Sequence, residues 1–326
     1  MRYVIYGAGG IGGVIGARLF QAGIDTTLIA RGEHAAIMRR DGLRLVSPQG
    51  IAQLAIAVVE HPREIIYTSD TVVLLCVKSQ QSQVALEDLA LVAPATIALA
   101  CVQNGVANES LALRYFPNVY ATVVNLPALY LNPGEVVTHA QGHGGILDTG
   151  CFPAGLDERA RQINADLSRA GFSARADAQV MRQKYAKLLL NLINVMQAGL
   201  RDFDAARDLR AVVRKEALAC FAAAGIDCAS KAEVSVRREG IYRMADIPGY
   251  ERQAGSSWQS IERGTGDIET EYLNGEICRL GRMHGVPTPA NDACVMMARE
   301  LLRANRGPGI WSADELRAHM NAARED

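Results

Sequence analysis

The chain opens on a short apolar run that leads directly into a glycine-rich turn. Tyr3 to Tyr6 has the composition of a buried parallel strand, and the sequence Gly7-Ala-Gly-Gly-Ile-Gly12 follows at once. A helical pattern then runs to about Gln21. This order of strand, glycine turn and helix is the context in which a G-x-G-x-x-G sequence binds a dinucleotide. It predicts a parallel sheet with a pyrophosphate bound at the helix N-terminus.

Each glycine of the turn has its own steric role in this prediction. Gly7 allows the tight turn, Gly9 lets the pyrophosphate approach the backbone, and Gly12 lets the helix pack on the strand. N–H groups at the start of the helix complete the site. The predicted cofactor-binding residues here are Gly7, Ala8, Gly9, Gly10, Ile11 and Gly12. The alternative is a glycine-rich turn without a ligand.

The second strand indicates which dinucleotide the turn would take. Asp25 to Ala30 reads as that strand, and Arg31 follows where an NAD site usually has a carboxylate. No acidic group would repel a 2′-phosphate there, and the planar Arg31 guanidinium matches one. The expected cofactor is therefore NADPH. The alternative is that Arg31 is a solvated surface arginine.

Composition excludes several other classes of protein. A chain of 326 residues, 49% hydrophobic and 21% charged, is typical of a globular protein with two domains. The net charge of −1 gives no electrostatic basis for binding nucleic acid or an anionic membrane surface. There is no run long enough to span a membrane and no signal-peptide pattern. The seven scattered cysteines are expected to be reduced thiols of a cytoplasmic protein, and we expect no metal site.

Alternating strand and helix patterns extend to about residue 177. Thr71 to Val77 and Ala95 to Val102 have the apolar composition of central parallel strands, and residues 43–58 form a hairpin pattern around Pro48-Gln-Gly50. Residues 1–177 are therefore predicted to form an NADP-binding, Rossmann-type domain, an α/β fold with a doubly wound parallel sheet.

Strand signals disappear after about residue 178. Residues 178–326 are predicted to form an all-helical domain, with helical patterns at 180–200, 204–224, 271–284 and 291–304. In a two-domain dehydrogenase of this design the substrate binds between the domains, over the carboxyl ends of the strands.

The helical pattern around Lys187 carries an unusual polar stripe. Lys187, Asn191 and Asn194 are spaced i, i+4 and i+7 among leucines and isoleucine, so a continuous helix would place them on one face. Buried amides and ammonium groups need partners. One interpretation is a wall of the active site, where the lysine is an acid and the asparagines hold substrate. The other is a solvent-facing stripe.

Further candidates follow two predicted strands or begin helices. Lys78 could reach a cofactor phosphate or ribose, and Asn104 in Gln103-Asn104-Gly105 could contact the nicotinamide ribose or substrate. An ordinary turn is the alternative for Asn104. Ser256 or Ser257 could cap a helix that Gly264 and Gly266 end, and Glu269 begins the next one. For these residues the alternative is two helix caps and a loop.

In this order, the motifs resemble the ketopantoate reductase (2-dehydropantoate 2-reductase) family over nearly the whole chain. The matching segments are Gly7 to Gly13, Ile29-Ala-Arg31-Gly32, Val77-Lys78, Gln103-Asn104-Gly105, Lys187-Leu-Leu-Leu-Asn191, Ser256-Ser257, Glu269 with Leu273-Asn274-Gly275, and Gly285-Val-Pro-Thr-Pro289. The resemblance implies an N-terminal Rossmann domain, a helical domain for substrate binding and dimerisation, and NADPH as cofactor. It also implies hydride transfer to the ketone of a 2-oxo acid, most simply ketopantoate in pantothenate biosynthesis.

The resemblance further implies individual roles. Lys187 matches the catalytic lysine that donates a proton to the carbonyl oxygen. Asn104 and Asn191 match substrate-contacting asparagines, Ser257 matches a serine that holds the substrate carboxylate, and Glu269 matches a glutamate near the nicotinamide ribose and the substrate hydroxyl. Asn194 is retained as a further substrate-binding candidate.

The chain departs from the family pattern on the substrate side. The family usually has a second asparagine where Val195 stands, and Asn194 would point about 100° away from that position on a helix. Met196-Gln-Ala198 replaces a threonine-rich run, Trp258 is unusual, and residues 240–255 form a longer segment than expected. Reduction of a different ketone or imine, and a non-catalytic NADPH sensor, therefore stay open. A homodimer is also open.

Overall fold

The structure is a computed structural model that describes residues 1–251, 256–262, 268–304 and 307–322. Its residues divide into two units. The first comprises Met1–Lys184 and Lys231–Glu251, and the second comprises Tyr185–Ser230 and the described part of Arg252–Asp326. This division differs from the boundary predicted at residues 177 and 178 in two ways. The first unit extends to Lys184, and the chain returns to it at Lys231–Glu251.

Thirteen strands and thirteen α-helices are seen in the described residues. The strands are β1 (Arg2–Tyr6), β2 (Thr26–Ile29), β3 (Leu43–Ser47), β4 (Gly50–Leu54), β5 (Ala57–Val59), β6 (Thr71–Leu75), β7 (Ala98–Cys101), β8 (Val119–Asn125), β9 (Ala128–Leu129), β10 (Glu135–Thr138), β11 (Ala140–Gly142), β12 (Ile146–Cys151) and β13 (Tyr242–Met244). The helices are α1 (Gly10–Gln21), α2 (Gly32–Asp41), α3 (Ser82–Ala90), α4 (Asn108–Ala112), α5 (Glu158–Arg169), α6 (Val180–Asn191), α7 (Asn194–Gly199), α8 (Arg207–Ala223), α9 (Lys231–Arg238), α10 (Ser256–Glu262), α11 (Asn274–His284), α12 (Pro289–Ala304) and α13 (Ala313–Ala322).

The main sheet of the first unit confirms the predicted fold class. Its strand order is β12-β8-β7-β6-β1-β2-β5, and every neighbouring pair is parallel except β12 with β8. The chain builds β2 and β5 on one side of β1 and then crosses to β6 on the other side. Ligands of such sheets bind where the strand order reverses, so the carboxyl ends of β1 and β6 mark the expected position.

Alternating side chains of β1 supply two separate hydrophobic layers. Tyr3 and Ile5 pack with residues of α1 and α5 on one face of the sheet. Val4 and Tyr6 pack with residues of α3 and α4 on the other. Because strand side chains alternate between faces, a strand covered by helices on both sides must be apolar throughout. This explains why the apolar run at residues 3–6 was a reliable signal.

A second sheet of the first unit has the order β4-β3-β10-β9. The antiparallel pair β3 and β4 is the hairpin predicted around Pro48-Gln-Gly50, which is confirmed. Strands β9, β10 and β11 were not predicted. They are short, and β10 depends on β3, a neighbour about ninety positions earlier in the chain, as in the pairing of Val136 with Leu45.

The segment Lys231–Glu251 corrects the prediction that everything after residue 178 is helical and belongs to the second domain. Its strand β13 pairs with β11, where Met244 lies opposite Ala140. Arg237 of α9 donates from Nε and Nη2 to the Asp148 carboxylate, at 2.7 and 2.6 Å. These contacts join residues far apart in the sequence, and no local sequence pattern predicts them.

The second unit is built from helices. Helix α12 packs against α7, α8, α11 and α13. Among its described residues the only strand-like feature is a single bridge between Leu200 and Trp311. The one long helix predicted over residues 180–200 is wrong, because it is two helices, α6 and α7, interrupted at Leu192 and Ile193.

Candidate functional site

The glycine turn after β1 is imposed partly by the packing of the protein itself. Gly7 has a φ of +100°, and a Cβ there would lie 2.8 Å from the backbone nitrogen of Val77. A Cβ at Gly12 would collide with the Gly7 carbonyl oxygen and lie 2.9 Å from the Cβ of Cys76. A side chain at either position would therefore push α1 away from the strands that support it.

Gly9 differs from these two glycines, because no packing contact among the described residues requires a glycine there. It is the N-cap of α1 with a φ of −67°, and a Cβ there would lie more than 4 Å from every described residue other than its chain neighbours. No side chain caps this helix, and its first turn carries no acidic residue. The space beside Gly9 and the uncapped N–H groups are what a pyrophosphate needs. The residues present therefore fit a dinucleotide phosphate.

His34 holds the glycine turn through a hydrogen bond to Ala8. The sequence analysis did not identify this residue. Its buried ring donates from Nε2 to the Ala8 carbonyl oxygen and accepts at Nδ1 from the Gly134 N–H, both at 2.8 Å. Burial lowers the pKa of His34 against the opposing effect of the Ala8 carbonyl. A neutral imidazole satisfies both contacts, whereas a protonated ring would face the Gly134 N–H with a second donor. No motif around His34 indicates this role.

Arg31 lies between β2 and α2, with 60% of its side chain exposed. Its Nη2 is 3.5 Å from a carboxylate oxygen of Asp88, which comes from α3. An ion pair this exposed contributes about 0–1 kcal/mol, so it competes weakly with a phosphate. The Arg31 guanidinium therefore lies beside the end of the second strand, which is the position predicted for binding a 2′-phosphate. Asp88 was not anticipated, because it is distant in sequence.

The loops after β6 and β7 lie at the same edge of the main sheet, since the two strands are parallel neighbours. Lys78 follows β6 as the N-cap of a short 3₁₀ helix, Ser79–Gln81. Asn104 follows β7 and precedes Gly105, whose φ is +80°. The Gln103 side chain joins the loops by donating to the Val77 carbonyl oxygen at 2.7 Å. Lys78 and Asn104 are both half-buried at this edge.

A buried ion pair lies under the loop that carries Asn104. The Lys184 ammonium is 2.7 Å from a carboxylate oxygen of Glu109 and donates to the Gln103 carbonyl oxygen at 2.9 Å. Sequence reasoning missed both charged residues. The available signal was a second lysine three positions before Lys187, which is one helical turn.

In the second unit, the break between α6 and α7 divides the predicted polar stripe. Lys187 and Asn191 remain one turn apart on α6, with Lys187 half-buried and Asn191 buried, whereas Asn194 begins α7. The i, i+4, i+7 argument therefore holds only for the first two residues, because it assumed a continuous helix. The orientation of Asn194 is set by α7 and not by α6.

A buried amide from another helix explains the break. Asn274 donates from Nδ2 to the Leu192 carbonyl oxygen at 3.0 Å and to Oδ1 of Asn291 at 3.1 Å. The Asn291 amide donates in turn to the Glu216 carboxylate at 2.8 Å. In a continuous helix the Leu192 carbonyl would accept from the backbone N–H four residues later. Asn274 was quoted in a family motif, but the sequence did not show what it holds.

Ser257 and Glu269 also belong to the second unit. Ser257 is buried in the first turn of α10, and α10 packs against α7, which carries Asn194. Glu269 begins a 3₁₀ helix, Glu269–Tyr272, that precedes α11. The predicted break at Gly264 and Gly266 lies outside the described residues, as does the side chain of Ser256.

Comparison with protein families accounts for both units. Residues 3–153 match the family model described as ketopantoate reductase PanE/ApbA, and residues 179–301 match the model for the C-terminal part of the same family. The chain belongs to the ketopantoate reductase family. The resemblance drawn from the motifs is thereby confirmed.

Relatives and solved structures agree with this family. The chain is 27% identical to a 2-dehydropantoate 2-reductase of Halobacterium salinarum, over 89% of this chain and 95% of the relative. It superposes on a ketopantoate reductase family protein of Ralstonia eutropha with a TM-score of 0.77 and 26% identity, covering 94% of this chain and all of the other. A ternary structure of D-mandelate dehydrogenase with NADH and anilino(oxo)acetate gives a TM-score of 0.76 at 22% identity, covering 97% of this chain and all of the other, which shows a shared fold.

Three further findings concern membrane spans, metal ligands and disulfides. Within the described residues, no helix is both long and apolar enough to cross a membrane. The described histidine, cysteine and acidic residues form no group that could hold a metal ion. All seven cysteines lie in the described part of the chain, and none forms a disulfide.

Proposed function

We propose that this chain is an NADPH-dependent reductase that converts ketopantoate (2-dehydropantoate) to pantoate in pantothenate biosynthesis. The observation that carries the proposal is the open space beside Gly9, at the uncapped start of α1, in a chain of the ketopantoate reductase family. Packing does not explain that glycine, but the approach of a phosphate does. Relatives named 2-dehydropantoate 2-reductase support the choice of substrate.

Each part of the cofactor has a candidate partner in the chain. The N–H groups at the start of α1 would hold the pyrophosphate, and Arg31 would pair with the 2′-phosphate. Lys78, Asn104 and Glu269 would bind the remaining phosphate and ribose groups. NADPH supplies the hydride for the carbonyl carbon when it is bound.

Lys187 would complete the reduction. As the carbonyl carbon gains a hydride, the carbonyl oxygen gains negative charge and needs a proton. The Lys187 ammonium stabilises that charge and transfers one proton to the oxygen, which gives a hydroxyl group and a neutral amine. Solvent then reprotonates the amine. A proton donor of this kind separates a reductase from a sensor, which has no use for one.

Amide and hydroxyl groups of the second unit would hold the 2-oxo acid. Asn191 and Asn194 offer N–H donors on α6 and α7, and Ser257 offers a hydroxyl donor on α10. Such groups suit the carboxylate and the hydroxyl of the substrate, because a carboxylate accepts several hydrogen bonds. A cytoplasmic location, a homodimer and the division into NADP-binding and substrate domains belong to the same proposal.

A screen for NADPH oxidation tests this function. Purified protein is assayed with ketopantoate, other branched 2-oxo acids, aromatic 2-oxo acids and cyclic imines, and NADPH affinity is measured separately by fluorescence. We expect ketopantoate to have the highest kcat/KM. Turnover of another ketone with ketopantoate inert would contradict the substrate, and tight NADPH binding without turnover of any compound would favour the sensor. Sedimentation of the same sample tests the homodimer.

A further inference from the structure

The charged pair under the Asn104 loop has no part in the chemistry proposed above. The side chains of Lys184 and Glu109 are only 3% and 0% exposed, and their charged groups are 2.7 Å apart. The ammonium also donates to the carbonyl oxygens of Gln103, at 2.9 Å, and Thr122, at 3.3 Å. It therefore joins four parts of the first unit: the start of α6, the first turn of α4, β8 and the loop after β7.

A pair buried this deeply needs a reason other than stability. Desolvation offsets most of the attraction between two buried charges, and apolar residues of similar volume often stabilise a fold as well. What an ammonium provides and apolar side chains do not is a set of directed hydrogen bonds to main-chain oxygens. Here those bonds determine the position of Gln103, the residue directly before Asn104.

The side chain of Gln103 fixes the same loop from the opposite side. Its Nε2 donates to the Val77 carbonyl oxygen at 2.7 Å and to Oγ of Ser82 at 2.8 Å. Ser82 donates to Asn108, and Asn108 donates to Ser79. Both the main chain and the side chain of Gln103 are thus held by a continuous buried network that reaches the loop carrying Lys78.

We propose that Lys184 is a positioning residue that, paired with Glu109, fixes the Gln103 carbonyl and so orients Asn104 toward the nicotinamide ribose and the substrate. The inference rests on the proposed function only through the role given to Asn104. The neighbouring Cys101 does not compete for the ammonium, because burial and the Glu109 carboxylate raise the pKa of its thiol well above the ordinary value.

A second ion pair in the first unit, which is largely buried, provides a matched control. Arg237 and Asp148 are 11% and 5% exposed and 2.6 Å apart, but they join α9 to β12. The test variant is Lys184→Met/Glu109→Leu, and the control is Arg237→Met/Asp148→Leu. Removing both charges in each case leaves no unpaired buried charge. Each protein is measured for Tm, kcat and KM with the substrate found in the screen, and for NADPH affinity.

We expect the Lys184→Met/Glu109→Leu variant to remain folded and to lose at least about tenfold in kcat/KM, while the control stays within about twofold. The decisive measurement repeats the change in an Asn104→Ala background. If Lys184 acts through Asn104, removing the pair should then cost less than about twofold, because residues that act through one another are not additive. An equal loss in both backgrounds, or full activity of the test variant, would overturn the inference.

Two further arrangements keep the test decisive. If the Met/Leu variant does not fold, Lys184→Gln/Glu109→Gln takes its place, since one amide cannot reach all the acceptors of the ammonium. It should lose about threefold or more in kcat/KM, and less in the Asn104→Ala background. If the wild type reduces no compound of the screen, the proposed function fails by itself, and NADPH affinity replaces kcat/KM in the same cycle.

Discussion

The glycine turn of the first unit and the break between α6 and α7 in the second both interrupt regular structure beside candidate ligand-binding groups. They are built in different ways. The turn depends on glycines at positions where a Cβ would strike Val77 or the Gly7 carbonyl. The break, at Asn191-Leu-Ile-Asn194, contains neither glycine nor proline, and depends on Asn274, which is 82 residues away.

This difference predicts how each region responds to mutation. A turn that is encoded locally should fail or survive according to the residue changed in it. The conformation of a break that is held by a distant amide should become less stable when that amide is removed, even if residues 191–194 are unchanged. The predictions below test this contrast, from the largest expected effect to the smallest.

Gly9→Val should abolish NADPH binding, because its side chain would fill the open space at the start of α1. The fold should survive, since no described residue beyond the neighbours of Gly9 has an atom within 4 Å of a Cβ at that position. Gly12→Val is the contrasting variant and should unfold the first unit. Calorimetry and NADPH titration check both. A Gly9→Val protein that unfolds, or one that binds NADPH normally, would contradict the steric account.

Lys187→Ala should lower kcat by at least about a hundredfold, the usual contribution of a general acid. NADPH affinity should be nearly unchanged. Lys187→Arg should restore little, because a guanidinium is a poor proton donor near neutral pH. Lys215→Ala, at an exposed lysine of α8, is the control. If Lys187→Ala retains activity within a few-fold of the wild type, the break region does not hold the acid, and the sensor hypothesis gains.

Arg31→Ala should weaken NADPH binding by about 1.5–3 kcal/mol, as for the loss of a charge-assisted contact. NADH binding should barely change, since NADH has no 2′-phosphate. Arg40→Ala, which removes an exposed arginine of α2, the helix that Arg31 precedes, serves as the control. Parallel titrations with both cofactors provide the measurement. Equal losses of affinity for NADPH and NADH would show that Arg31 does not bind the 2′-phosphate.

Asn274→Ala should reduce the free energy of unfolding by about 1–3 kcal/mol, because it leaves the buried Leu192 carbonyl without its donor. It should also raise the KM for the 2-oxo acid, since the start of α7 carries Asn194. NADPH affinity should not change. Denaturant unfolding and steady-state kinetics check this prediction. A loss of stability with an unchanged KM would separate the break from substrate binding.

His34 should make the turn sensitive to pH, although the effect is the smallest of the five. Burial lowers its pKa below the ordinary value of 6.5, so the unfolded chain takes up a proton more readily than the folded one. The stability that comes from this difference is present above about pH 6.5 and decreases as the pH falls below it. We expect the Tm of His34→Gln to decline less than that of the wild type between pH 7 and 5. Identical declines would contradict this assignment.

The sequence was most informative where a few neighbouring residues impose the structure. The apolar run before Gly7 and the hairpin at Pro48-Gln-Gly50 were both predicted and are present. Each depends on local composition or on a turn. The fold class and the family followed from these signals and from the order of the motifs.

The sequence was least informative where a distant residue supplies the missing hydrogen bond. His34 holds Ala8, Asn274 holds Leu192, and Lys184 holds Gln103, and in each case the partner is a main-chain carbonyl oxygen. A sequence cannot distinguish one main-chain carbonyl from another, because every residue has one. No motif can therefore name which side chain will bind a particular carbonyl.

The sequence by itself determined the parallel sheet, the dinucleotide turn and the family, because local sterics and strand burial are properties of short segments. The tertiary structure alone decided that α6 ends at Asn191, that Lys231–Glu251 returns to the first unit, and that an ammonium lies under the Asn104 loop. The first and third depend on buried polar groups, which must find partners wherever the fold brings them, and the second depends on strand pairing between β11 and β13. Those partners are close in the folded structure but distant in the sequence.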